Sequence, residues 1–324
     1  MRIGLIGAGT MGANHARVVA GSTRAILDVV VDVDQSRADK IAESYGARSA
    51  TDPREALECD AVLLCTPTDA HVEGALQIMD AGVPLLIEKP VALEFTEVQR
   101  ICQIATDRGL ALACGFVERF NPVISLARSL LDDPPVHLVA LRHSPADPRN
   151  LGSVVHDLLI HDVDLALQLM GSEAVRTVVG ASWSPPGGKY PEIADCTVTF
   201  DNGALVSLSA SRMGQRKLRS IQVLTQSLLL DLDLLRADVT VYRNVLQEQP
   251  EDPRALTYRA QTIIDIPFVR HSGEPLALQL DHFLDLVDGS ADREQEVTSI
   301  LASHALASKV AQQCVGVQNL VLLT

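Results

Sequence analysis

The sequence lacks a basic cluster, a CxxC pair, a long apolar run and any internal repeat, and each absence removes a class of function. With 27 Lys and Arg against 41 Asp and Glu, the formal charge is -14. That balance opposes the phosphate neutralisation on which non-specific nucleic-acid binding depends, so no nucleic-acid partner is expected. No stretch approaches the roughly 20 apolar residues of a membrane span, and the start MRIGLIGAGTMG is too short and too broken by glycine for a signal h-region. No membrane partner is expected. Six cysteines, Cys59, Cys65, Cys102, Cys114, Cys196 and Cys314, are scattered, several of them within apolar patterns, which reads as reduced, packed thiols and a cytoplasmic setting. What remains is a chain of 324 residues, 47% hydrophobic and 21% charged, a soluble globular composition long enough for one large domain or two ordinary ones.

One stretch concentrates polar chemistry in apolar surroundings: His156 to Asp164, HDLLIHDVD, carries two histidines and three aspartates. On an α-helix at about 100° per residue, Asp157, His161, Asp164 and Gln168 fall within roughly 60° of one another, and apolar residues fill most of the remaining circumference. The segment reads as a buried helix with one narrow polar stripe. His156 and His161 point about 140° apart and lack the i, i+4 spacing that gives one helical face two metal ligands, so no metal is expected. Asp162 falls in the apolar arc, where an ionised carboxylate needs a cation, and Arg119 or Arg142 is expected to supply it. Asp164 lies on the stripe with His161, and His156 lies off it with a structural or peripheral role.

The N-terminal part reads as a nucleotide-binding half. Arg2 to Ile6 is a short apolar strand, followed by Gly7, Gly9 and Gly12 in the spacing GxGxxG and then by a helix through Val19 and Ala20. Gly7 permits the tight turn, Gly9 lets the backbone approach a pyrophosphate at the helix N-terminus, and Gly12 lets helix and strand pack closely. A second apolar strand, Ile26 to Val31, ends in Asp32, an acid placed to accept both ribose hydroxyls of an adenosine. The same carboxylate repels a 2′-phosphate, so NAD is expected over NADP, with Arg37 nearby to soften that preference.

Further short apolar runs, Ala61 to Cys65, Leu85 to Ile87 and Leu110 to Cys114, suit buried parallel strands, with helices around 37–45, 71–81 and 96–107. Ligands bind beyond the carboxyl ends of such strands, which singles out Thr66, Pro67, Glu88, Lys89 and Pro90. His71, in the first turn of its helix, is placed to hydrogen-bond a nicotinamide ribose. Pro90 biases Lys89 toward an extended backbone beyond the strand end, which makes it a catalytic candidate.

After the run GFVERFNP the pattern changes. A helix over 120–131, an apolar run over 136–141 and the polar-striped helix are followed by strand-like segments over 175–183, 196–200, 204–210, 220–224, 228–232 and 239–242. Asp201-Asn202-Gly203 is a hairpin turn signal, and strands joined without helices imply an antiparallel sheet. Final helices are expected near 276–287 and 299–313. The fold class is thus α/β: a doubly wound parallel Rossmann sheet over 1–118 and a C-terminal α+β domain over 119–324 with a mainly antiparallel open sheet. One face of that sheet is expected to cover helices and the other to serve a homo-oligomer. Arg212, Arg216, Lys217 and Arg219 are expected on a solvated face or subunit contact, with a diphosphate as their other possible partner.

GLIGAGTMG, CTPTDAH, IEKP, GFVERFNP and HDLLIHDVDL occur in an order that resembles the glucose-fructose oxidoreductase and inositol dehydrogenase family over nearly the whole chain. The resemblance implies that Lys89, Asp157 and His161 are the catalytic lysine, aspartate and histidine. It implies cofactor contacts from Gly7, Gly9, Thr10, Met11, Gly12, Asp32, Thr66, Pro67, His71, Glu88 and Lys89, and candidate substrate contacts from Arg119, Asn121 and Arg142. The implied reaction is NAD-dependent oxidation of a secondary hydroxyl on a polyhydroxylated ring. A histidine suits removal of the hydroxyl proton, and a lysine suits stabilisation of the developing alkoxide. The HDLLIHDVDL and ASRMGQRKLRSI segments look more like branches acting on sugars and nucleotide sugars, UDP-N-acetylglucosamine 3-dehydrogenases among them, than like inositol dehydrogenases proper. NAD-dependent glycoside cleavage through transient oxidation, and a non-catalytic NAD-binding regulator, are the alternatives.

Overall fold

The computed structural model describes residues 1–146, 152–171, 174–248, 258–270 and 272–314; the chain forms two compact units, 1–120 with 273–308 and 121–272 with 309–324.

In the first unit, strands β1 (Arg2–Ile6), β2 (Ile26–Val31), β3 (Arg48–Ala50), β4 (Ala61–Leu64), β5 (Leu85–Ile87) and β6 (Leu112–Cys114) alternate with helices α1 (Thr10–Gly21), α2 (Gln35–Tyr45), α3 (His71–Asp80) and α4 (Phe95–Arg108). All neighbouring strands are parallel, in the order β3-β2-β1-β4-β5-β6. The residues of β4, β5 and β6 are all buried, which is why these strands read as unbroken apolar runs rather than alternating ones. Strand order reverses between β1 and β4, and such a switch point opens a crevice at the carboxyl ends of the strands. Strand β3, the three residues RSA, carries no apolar pattern and is the one strand of this sheet that the sequence does not announce.

A domain running without interruption from 119 to 324 was expected; the structure breaks it. Helix α7 (Pro275–Asp288) and the part of the last helix, Arg293–Gln313, up to Ser308 belong to the first unit. Leu280, Phe283, Leu284 and Leu286 of α7 join the same buried cluster as Ile3, Leu5, Val30 and Leu63. Arg24 fixes the helix from outside through Asp285 at 2.7 Å and Asp288 at 3.1 Å.

The second unit holds an eight-stranded sheet: β7 (His137–His143), β8 (Val175–Trp183), β9 (Ile193–Phe200), β10 (Leu205–Ser211), β11 (Leu218–Leu224), β12 (Leu229–Asp233), β13 (Asp238–Glu248) and β14 (Tyr258–Asp265), ordered β14-β13-β12-β11-β7-β10-β9-β8. Every pair is antiparallel except β7 with β10. Gly203 turns the β9–β10 hairpin at φ 86°, in the region where a Cβ is unfavourable. Residues alternate between buried and accessible along β7 and β9, the pattern of a sheet with one covered face. Helices α5 (Pro122–Leu130) and α6 (Ile160–Met170) pack against the sheet. The accessible positions include Val179 and Trp183, 67% and 45% exposed. Among the described residues, no helix is long and apolar enough to cross a membrane.

Across β1, β2 and β3, Asp28 takes Arg2 at 3.2 Å and Arg48 at 2.9 Å. The hydrogen bond from Arg2, then that from Arg48, pulls its carboxyl down to about 2, from an ordinary 3.8. A depressed carboxyl stabilises the fold above its unfolded value and loses that contribution as pH falls through the folded one. Asp28→Asn is expected to cost about 1 kcal/mol in urea unfolding at neutral pH, after allowance for solvent screening of the exposed arginines. The difference should close as pH falls from 3.8 toward 2.

Candidate functional site

The first unit carries a cavity of about 700 Å³ at the strand ends, lined among others by Gly7, Gly9, Thr10, Met11, Asp32, Thr66, Pro67, His71, Glu88 and Lys89. Gly7 has φ 102°, and a Cβ there would sit 2.6 Å from the Cys65 backbone, so only glycine fits the turn. A Cβ on Gly9 would meet nothing within 4 Å, which leaves the start of α1 open to the cavity. Gly12 lies outside the lining: a Cβ there would fall 1.9 Å from the Gly7 carbonyl oxygen, so it serves the close packing of α1 on the turn. The Asp32 carboxylate accepts from the Ala8 N–H at 2.7 Å and the Asp34 N–H at 2.9 Å, which fixes it at the cavity wall. Arg37 also lines the cavity and pairs with Asp34 at 3.4 Å. Among the described residues, the buried hydroxyl of Thr66 has no hydrogen-bond partner. An open helix start, a fixed carboxylate and an orphaned hydroxyl in one cavity fit a dinucleotide bound across the switch point.

At the end of β5, Glu88 is held by a residue that sequence reasoning missed. His15 of α1, 0% exposed, places Nε2 2.8 Å from Glu88 Oε1, while the Lys89 N–H reaches Glu88 Oε2 at 3.3 Å. A Cβ on Gly115 would lie 2.6 Å from Glu88 Oε2, so glycine makes room for the carboxylate. The only sequence signal for His15 is a histidine on a helix whose other inward residues are Gly12, Ala16, Val18 and Val19. Among the described residues, His15, Cys65 and Glu88 form the one cluster with metal-ligating atoms within 4.8 Å of one another. Its 2.8 Å His15–Glu88 contact is a hydrogen bond. Burial, with the Glu88 charge added, pushes the Cys65 thiol well up and away from the thiolate a metal would need.

His71 does not offer the free hydrogen bond expected of it. It is 1% exposed, with Nδ1 2.8 Å from the Pro90 carbonyl oxygen and Nε2 2.9 Å from the Thr66 carbonyl oxygen. Both nitrogens face carbonyl oxygens, which only accept, so the one N–H of a neutral ring donates to one of the two loops that carry Thr66 and Lys89.

In the second unit the polar helix is not uniformly α-helical. A π-helical turn, Val155–Leu159, runs directly into α6. Asp157 lies in that turn and His161 one residue into α6, so the angles calculated for a continuous α-helix do not carry across; such turns recur at functional sites. Both side chains are partly accessible, whereas Asp162 and Asp164 are buried. Gln168, at the far end of the expected stripe, accepts from Arg128 at 2.5 Å.

Two arginines hold this helix from beneath. Arg142 meets Asp162 through two bonds of 2.8 and 2.9 Å, both partners 3% exposed. Arg212, expected on a solvated face, is 2% exposed; it binds Glu192 at 2.8 Å and the Gly152 carbonyl at 2.6 Å, and its Nη1 stands 3.6 Å from Asp157 Oδ2. Arg216 and Lys217 are exposed, as expected. Each of the three expected substrate contacts has a partner within the fold. Arg142 serves Asp162. Arg119 pairs with Glu296 at 3.1 Å and lies 4.8 Å over the Phe116 ring. Asn121 caps α5 by accepting from the Val123 N–H at 3.1 Å. Burial alone would raise the Glu296 carboxyl, but the His282 hydrogen bond and the Arg119 charge outweigh it and hold that group below its usual value.

Arg142→Met should therefore act on stability rather than on substrate binding. Removing one partner of a fully buried pair is expected to cost about 3–5 kcal/mol in urea unfolding, and Arg142→Met with Asp162→Leu should recover most of it. An unchanged midpoint in the single variant would return Arg142 to the list of substrate contacts.

Comparison with known proteins agrees with this geometry. Residues 1–116 match the family model described as oxidoreductase family, NAD-binding Rossmann fold, and residues 129–226 match the GFO/IDH/MocA C-terminal domain. The chain is 32% identical over 297 residues to a UDP-N-acetylglucosamine 3-dehydrogenase of Acidithiobacillus ferrooxidans, covering 89% of this chain and 88% of that one. It is 34% identical over 193 residues to an inositol 2-dehydrogenase of Rhizobium meliloti, covering 56% and 58% of the two chains. A solved structure of the A. ferrooxidans protein superposes with a TM-score of 0.84 at 28% identity over 97% of each chain. Levoglucosan dehydrogenase in complex with NADH shares the fold, with a TM-score of 0.79 at 18% identity over 97% of this chain and 96% of that one.

Proposed function

The chain belongs to the GFO/IDH/MocA family of oxidoreductases with an NAD-binding Rossmann fold, and from that premise we propose that it moves hydride between NAD and a secondary hydroxyl of a sugar, nucleotide sugar or cyclitol. The observation that carries the proposal is Lys89: it follows strand β5 and lines the dinucleotide cavity beside the buried His15–Glu88 pair. A lysine held at a strand end next to the cofactor is placed to meet a reacting oxygen.

In this reading the open start of α1 at Gly9, Thr10 and Met11 receives the pyrophosphate, Asp32 accepts the adenosine ribose hydroxyls, and Thr66, Pro67 and Glu88 bound the nicotinamide side. NAD supplies the hydride acceptor. Lys89 donates a hydrogen bond to the substrate oxygen and stabilises alkoxide charge as it develops. His161 removes the hydroxyl proton, a task suited to imidazole, and Asp157 orients that ring and stabilises its cation. Arg212, 3.6 Å from Asp157, holds the aspartate in its π-helical turn. The 32% identity over 89% of the chain to a UDP-N-acetylglucosamine 3-dehydrogenase supports a nucleotide sugar as the first substrate to try. The accessible sheet face, with Val139, Leu141, Val179, Ala181, Thr197, Ser207 and Ser209, supports a homo-oligomer formed through the second unit. Six free, buried cysteines support a reducing, cytoplasmic setting.

A screen of UDP-N-acetylglucosamine, myo-inositol and free sugars for NADH formation tests the reading. Turnover is expected with NAD, and NADP is expected to lose at least about tenfold because Asp32 repels its 2′-phosphate. His161→Ala should lower kcat by about a hundredfold or more with NAD binding retained. Near-normal turnover in that variant would remove His161 from the proton path, and release of a sugar without NADH would favour glycoside cleavage instead.

A further inference from the structure

Strand β5 ends at Ile87 and the Glu88 N–H makes a last bond to the Leu64 carbonyl oxygen of β4, so beyond it the buried polar groups of the backbone need other partners. The peptide group between Pro90 and Val91 is met at both ends by buried imidazoles. Its carbonyl oxygen lies 2.8 Å from His71 Nδ1, and its N–H, on a Val91 that is 0% exposed, donates to His304 Nε2 at 3.0 Å. The tautomer of His304 follows from its other contact: Nδ1 lies 2.8 Å from the Ile300 carbonyl oxygen, which can only accept, so Nδ1 carries the proton and Nε2 is left as the acceptor that Val91 requires. The ring is 4% exposed and packs on Phe116 with centroids 5.6 Å apart. On the other side of Lys89, His15 holds Glu88 at 2.8 Å. Three histidines from three helices thus fix the chain immediately before and after one lysine.

We propose that His304 and His71 are positioning residues for Lys89, clamping the Pro90–Val91 peptide and so the backbone from which the ammonium reaches the reacting oxygen. The inference rests on the function proposed for Lys89 and extends it to a residue more than 200 positions away in sequence. A misplacement of about 1 Å in a catalytic group costs on the order of a hundredfold in rate, so the two hydrogen bonds matter beyond the stability they confer.

The test compares His304→Phe, which keeps the ring against Phe116 and removes the acceptor, with His304→Gln, whose amide oxygen can accept from Val91 while its amide N–H donates to Ile300. Lys89→Ala is the control. Three readouts are used: kcat and KM with NAD and UDP-N-acetylglucosamine, the acetylation rate of Lys89 by acetic anhydride in the NAD-bound protein, and hydrogen exchange at the Val91 amide. His304→Phe should lose about tenfold to a hundredfold in kcat with both KM values within about twofold, and should acetylate Lys89 at an altered rate. His304→Gln should stay within about threefold of the wild type in every readout. Unchanged kcat and Lys89 acetylation in His304→Phe overturns the proposal, as does a His304→Gln variant that falls equally far. Should His304→Phe not fold, Val91 exchange decides: protection in the wild type and in His304→Gln supports the clamp, and an amide that exchanges like an exposed one overturns it. If UDP-N-acetylglucosamine is not turned over, acetylation and exchange decide without it. Full activity in Lys89→Ala defeats the functional reading, whereas loss of activity in Lys89→Ala but not in His304→Phe defeats the clamp alone.

Discussion

The hydrogen bond between His15 and Glu88 is the contact on which the candidate site depends. It joins α1, whose start opens onto the cavity, to the residue that precedes Lys89, so the element that receives a dinucleotide and the element that carries the lysine are locked together. Both partners are buried, and removing either leaves a polar group with no access to water, at a cost of about 1–3 kcal/mol or more for a charge. Gly115 belongs to the same constraint, since a Cβ there would strike the Glu88 carboxylate. His71 and His304 continue the pattern on the other side of Lys89, where the chain has no strand partner to satisfy it. Histidine suits positions 71 and 304 because one ring faces two backbone groups at once while burying a flat apolar face.

The second unit solves a different electrostatic problem. A helical segment with five acidic or imidazole side chains close together is costly to bury, and it is held by two arginines that are themselves buried. Arg142 neutralises Asp162, and Arg212 is shared between Glu192 and Asp157. Each guanidinium offers a planar fork of donors, which a lysine could not reproduce. The polar groups therefore divide by accessibility: Asp162 and Asp164 are buried, while Asp157, in the π-helical turn, and His161, just after it, stay partly open.

Those divisions were only partly legible in the sequence. The parallel strands announced themselves because β4, β5 and β6 are apolar on both faces, and the glycine turn because Gly7 and Gly12 leave no space for a side chain. Strand β3, too short and too polar, was silent, and β14 went unread. The assignment of α7 to the first unit could not be read, because an apolar helix face says that a core exists and not which one. The polar stripe was found, but its angles assumed a continuous α-helix, and no residue type marks a π turn. Arg142 was one of the two cations expected for Asp162, and that pair forms, whereas Arg119 turns to Glu296. Arg212 misled because arginine is usually exposed, and only its partner Glu192 shows that this one is not. His15 was missed because a lone histidine on an apolar helix face carries no sign of what it meets.

The proposed reaction passes hydride from a ring carbon of a sugar, nucleotide sugar or cyclitol to NAD. Its most direct test is a single-turnover reaction of the purified protein with NAD and, in turn, UDP-N-acetylglucosamine and myo-inositol deuterated on their ring carbons, with the reduced cofactor analysed by mass spectrometry. Deuterium carried into NADH from one of the two is the result expected. NADH free of deuterium, or no NADH from either substrate, would contradict it.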